Sequence, residues 1–195
     1  MPALAGKTYF NYGGQGPLPD PSLQAILHTW QRIQELGPFS GAVGSMLAST
    51  VDGLRQRLGR WFNLPPTRLA FTENVTSGCL LPLWGLPWEP GDELLIGDAE
   101  HPGVVAGLQE LAHRSGLRLA SLPVQACRGD RAATEAGVLQ SLERSLSPRT
   151  RLVVLSHLLW NTGQLMPIPA VAMRLAAMGQ RQGMPSQPQI GRAHV

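Results

Sequence analysis

A chain of 195 residues, 43% of them hydrophobic, can bury one core of ordinary size. Its 16 basic and 13 acidic residues leave a net charge of +3 without any run of like charge, which argues against a nucleic-acid partner. No stretch reaches membrane-spanning length and the first residues lack a signal-peptide apolar run, so a cytoplasmic location and no membrane partner are expected.

The first clear element is a helix opened by Asp20 as cap and Pro21 at its first position. Leu23, Ile26, Leu27, Trp30 and Ile33 line one of its faces, and Gly37 and Pro38 stop it. Leu47, Val51, Leu54, Leu58 and Trp61 recur at helical spacing until Asn63 and the Pro65, Pro66 pair end a second helix. From Leu69 the rhythm changes to short apolar runs, predicted as strands at 69–72, 93–97, 117–124 and 151–156. Helical stretches at 76–83, 102–114 and 134–146 separate them. Such alternation implies crossover connections, hence an α/β fold with a largely parallel sheet and helices on both faces.

Ligands of such sheets bind beyond the carboxyl ends of the strands. Three polar clusters fall there: residues 72–78, 98–103 and 156–164. The first lacks both GxGxxG and GxxxxGK[ST]. Its hydroxyls at a helix start fit two roles, Thr76 or Ser77 capping the helix, or both facing an anion drawn by unpaired N–H groups and the helix dipole. His101 sits in the second cluster between an acidic residue and Pro102, a position equally compatible with a surface loop. Cys79 and Cys127 stand apart with no CxxC and no histidine at ligand spacing, so buried free thiols are expected and no metal site is.

Together, FTENVTSG, EHPG and SHLLWNTGQLMPI, with the opening KTYFNYGGQGPLP, resemble the pyridoxal-phosphate enzymes of the class V aminotransferase and cysteine desulfurase family. NYGGQGPLP, LWGLPWEPGDE and SHLLWNTGQ are similar to its cystine C-S lyase branch. The resemblance runs from about Tyr9 to Gly183. It implies a partial large domain of the fold-type I kind, with an N-terminal segment at 1–65, the cofactor-binding part at 66–183 and an opening strand at 9–12.

It also implies a cofactor, pyridoxal 5'-phosphate, and roles for its site residues. Thr76 and Ser77 would hold the phosphate through hydroxyl and N–H groups, His101 would stack on the pyridine ring, and Asn161 would reach its 3-hydroxyl side or the substrate. The implied reaction is β-elimination from cystine or cysteine, giving persulfide, pyruvate and ammonia. The alternatives are a cysteine desulfurase or class V aminotransferase, or a non-catalytic binding or dimerisation module. A homodimer is expected of the whole enzyme. The family's Asp-Gly-Ala-Gln strand end and its His-Lys pair, whose lysine forms the Schiff base, have no counterpart here. Lys7 is the sole lysine, so the chain as given is expected to be inactive. Residues 184–195, MPSQPQIGRAHV, show no strand pattern and resemble a translated sequencing adaptor, so they are expected to lie outside the fold.

Overall fold

A computed structural model describes residues 4–12 and 16–182. The tail at 184–195 lies outside them, as do residues 13–15 of the opening turn. The chain divides between Phe71 and Thr72 into two compact units.

The first unit holds α1 (Asp20–Leu36) and α2 (Gly41–Phe62). Asp20 is the first helical residue of α1, not its cap; Pro19 occupies the cap position and offers no side-chain acceptor. Asp20 there still complements the positive helix end. Ser40 caps α2, its hydroxyl accepting from the Val43 N–H at 3.2 Å. The apolar faces predicted for both helices form, yet Ile26, Leu27, Trp30, Leu47, Val51, Leu54 and Trp61 all remain exposed.

Two predicted strands are absent. Residues 7–11 have no regular structure, and the Tyr9 and Tyr12 rings meet edge-on with centroids 5.3 Å apart. Residues three apart on a strand point to opposite faces, so that contact requires a bend. Residues 69–72 follow a 3-10 turn, Pro66–Arg68, and pair with no strand among the described residues. Extended propensity alone does not make a strand; a neighbouring backbone must complete the ladder.

The second unit contains α3 (Val75–Trp84), β1 (Glu93–Gly97), α4 (Pro102–Ser115), β2 (Arg118–Leu122), α5 (Arg131–Ser145), β3 (Thr150–Val154) and α6 (Ile168–Gln182). The three strands form a parallel sheet in the order β2-β1-β3, as the alternating pattern implied. Central β1 reads ELLIG because both its faces are covered. Leu94 packs with Val104, Leu108 and Leu111 of α4, whereas Leu95 packs with Val138 and Leu142 of α5 and Val171 and Leu175 of α6.

Strands β2 and β3 are shorter than their apolar runs for one shared reason. The N–H groups of Val124 and Gln125 leave the ladder to donate to Asp98 Oδ1 at 2.9 and 2.8 Å. The Ser156 N–H donates to Glu100 Oε1 at 2.6 Å. Both carboxylates belong to the segment that leaves β1. Helix α5 starts earlier than predicted because Asp130 caps it, its Oδ1 accepting from the Ala133 N–H at 2.8 Å.

Candidate functional site

After β1 the chain crosses to β2 through α4 on one face; after β2 it returns past β1 to β3 through α5 on the other. Helix α6, which follows β3, shares the face of α5. Neighbouring strands β1 and β3 therefore send their helices to opposite faces. That reversal opens a crevice beyond their carboxyl ends, where α/β sheets bind ligands. The clusters at 98–103 and 156–164 flank it.

At the start of α3 the structure settles what caps the helix. Asn74 does, its Oδ1 accepting from the Ser77 N–H at 2.9 Å, while the Thr72 hydroxyl donates to the Asn74 carbonyl at 3.0 Å. Neither Thr76 nor Ser77 is the cap. The Ser77 N–H is thereby occupied. The N–H groups of Val75 and Thr76, and the Thr76 hydroxyl, make no hydrogen bond among the described residues. A helix N-terminus with spare donors is suited to a phosphate. Asn74 escaped the sequence reading, although an Asn directly before a helical run is a cap signal. Replacing it with alanine is expected to cost about 1 kcal/mol in chemical denaturation; an unchanged midpoint would show that the cap is dispensable.

His101 is the N-cap of α4. Its Nδ1 accepts from the Gly103 N–H at 3.1 Å, which places the proton of the neutral ring on Nε2. Gly103 joins the two helix starts. A Cβ built on it would lie 3.1 Å from Thr76 Oγ1 and 3.3 Å from His101 Nδ1, so the absence of a side chain is what lets the two helix starts approach this closely. One turn on, Gly107 sits directly against Leu80 of α3, which lets α3 and α4 approach closely.

The third cluster is a tight hairpin. The Leu159 N–H donates to the Gln164 carbonyl at 3.0 Å, and the Met166 N–H donates to the His157 carbonyl at 2.7 Å. Gly163 takes φ of +71°, where a side chain would be strained. Buried Leu159 and Met166 hold the hairpin down, and the Gln164 Nε2 donates to the Thr134 hydroxyl of α5 at 3.2 Å. At the tip, Trp160 meets the His101 ring edge-on, with centroids 5.6 Å apart at 68°. Asn161 is exposed beside it and has no bond to His101 or Thr76. The structure thus brings together Thr76, His101 and Trp160, and the residue facing His101 is Trp160.

Both thiols are free and half-buried, somewhat more open than expected. Burial, and secondarily the Glu100 carboxylate, push the Cys79 thiol above its ordinary value, which disfavours the nucleophilic thiolate.

The sequence pattern of the family described as aminotransferase class-V matches residues 8–180. This chain belongs to that family. Among similar proteins is a probable cysteine desulfurase of Pseudomonas putida, 29% identical, the match covering 92% of this chain and 45% of the relative's own length. An isopenicillin N epimerase of Amycolatopsis lactamdurans is 30% identical, covering 91% of this chain and 42% of its own. Among solved structures, the cystine C-S lyase C-DES, in complex with its product cysteine persulfide, is 44% identical with a TM-score of 0.80. That match covers 89% of this chain and 44% of C-DES. Another C-DES structure carries glycine covalently linked to a PLP cofactor, with a TM-score of 0.78. The chain spans less than half the length of each of these relatives. Among the described residues, no helix is long and apolar enough to cross a membrane.

Proposed function

We propose that the chain is the N-terminal part of a pyridoxal-phosphate-dependent C-S lyase acting on cystine or cysteine, the whole enzyme working as a homodimer. The observation that carries this reading is the close approach of Thr76 Oγ1 and His101 Nδ1 at Gly103, where the two helix starts meet. The residues present fit the cofactor. The spare N–H groups of Val75 and Thr76 and the Thr76 hydroxyl would hold the phosphate, with the Ser77 hydroxyl beside them. His101 would lie against the pyridine ring, and Asn161 is the hairpin residue assigned to its 3-hydroxyl side or to the substrate. When bound, the cofactor supplies the electron sink that makes the α-proton of an amino acid removable. The likeness to C-DES at 44% identity favours the lyase; the cysteine desulfurase of P. putida at 29% supports desulfuration as the second reading.

Covalent attachment of the cofactor needs a lysine amine, and Lys7, in the first unit, is the only lysine. The chain by itself is therefore expected to bind pyridoxal phosphate reversibly and to turn over no cystine. Titration followed by absorbance should show saturable binding that inorganic phosphate displaces, and borohydride should leave Lys7 unlabelled. Binding indifferent to phosphate would overturn the phosphate cup; stoichiometric labelling of Lys7 would overturn the inactivity.

A further inference from the structure

We propose that Glu100 is a positioning residue of this site, a clamp across the crevice that presents Trp160 to the ring of His101. Glu100 is almost wholly buried, at 8% exposure, where β1 hands over to α4. Both of its oxygens are engaged by one residue on the opposite wall: Oε1 accepts from the Ser156 N–H and Oε2 from the Ser156 hydroxyl, each at 2.6 Å. Gly97 leaves room for the carboxylate, since a Cβ there would approach Oε1 to 3.1 Å. The bonds join segments 56 residues apart in sequence.

The placement gives the clamp its role. Glu100 directly precedes His101, and Ser156 is where the chain turns from β3 into the hairpin that carries Trp160. The far end of the hairpin is tied to α5 through Gln164 and Thr134 and its start to β1 through the β3 ladder; the Glu100 bonds add a direct tie between that start and the residue next to His101. Two short bonds from one carboxylate leave little play between the two segments that carry the rings, which meet at 5.6 Å. Taken with the cofactor reading above, on which this consequence rests, Glu100 sets the tilt of the imidazole that meets the pyridine ring.

The test is carried out on the chain itself, with the resonances of the His101 ring as readout. Trp160→Ala defines the His101 shift without a ring current. Glu100→Ala is expected to lose most of the displacement between wild type and that reference. Glu100→Gln should retain it, because the amide accepts from the Ser156 N–H and donates to the Ser156 hydroxyl. Ser156→Ala, which removes one of the two bonds and leaves Glu100 in place, should lose part of it and carries the test if Glu100→Ala does not fold. With pyridoxal phosphate added, Glu100→Ala should also lose the induced circular dichroism of the cofactor. A full ring-current displacement in Ser156→Ala and in any folded Glu100→Ala would overturn the clamp. Failure of the wild-type chain to bind pyridoxal phosphate would overturn the cofactor reading and leave the clamp standing.

Discussion

Replacing Leu95 with alanine is expected to destabilise the second unit by about 2–5 kcal/mol, the range for a large-to-small change in a core that cannot collapse. Leu95 is fully buried on the central strand, flanked by Ala120 of β2 and Val153 of β3 in register. Below it, Val138 and Leu142 of α5 and Val171 and Leu175 of α6 fill the face. Helix α5 runs into β3 through residues 146–149 alone, which limits how far it can close over the cavity. Leu81→Ala is the control, because Leu81 is 61% exposed on α3, and surface changes of this kind stay within about 0.5 kcal/mol. Urea unfolding followed by circular dichroism measures both. A cost for Leu95→Ala as small as that of the control would mean that the sheet face is not packed.

The second large effect concerns Thr76. Thr76→Ala removes a hydroxyl that the helix cap does not use, so the loss should fall on the ligand and not on the fold. Removing a hydrogen bond to a charged phosphate costs about 1.5–3 kcal/mol, or roughly 10- to 100-fold in affinity for pyridoxal phosphate. Ser77→Ala should have a smaller effect, since the Ser77 N–H remains tied to Asn74. Pyridoxal, which lacks the phosphate, should bind wild type and Thr76→Ala equally. Equilibrium dialysis gives all these constants. Equal phosphate-dependent losses in the two serine and threonine variants would shift the cup toward Ser77.

Much of this architecture is local in origin and could be read from the sequence. Strand β1 is a short apolar run with a turn at each end, and α4 begins at Pro102 and stops at Gly116, both signals of the chain itself. What escaped was set by distant partners. The carboxyl ends of β2 and β3 are drawn off the ladder by Asp98 and Glu100, and no window along either strand contains those residues. Residues 69–72 have strand composition but, among the described residues, no neighbour to complete a ladder. At the site, the cluster at 156–164 was legible as a polar loop beyond a strand end, whereas its hairpin form, which sets Trp160 against the His101 ring, rests on contacts with residues elsewhere in the chain. In the first unit the helical periods of α1 and α2 were plain, whereas periodicity says nothing of what an apolar face meets.

Magnetisation transfer between the pyridine ring protons of pyridoxal phosphate and the chain, recorded with a label on the His101 ring, tests the central claim most directly. The convergence of Thr76 and His101 at Gly103 predicts transfer to His101, abolished by excess inorganic phosphate and strongly weakened in Thr76→Ala. Transfer that bypasses His101, or that persists unchanged when phosphate is added, would contradict it.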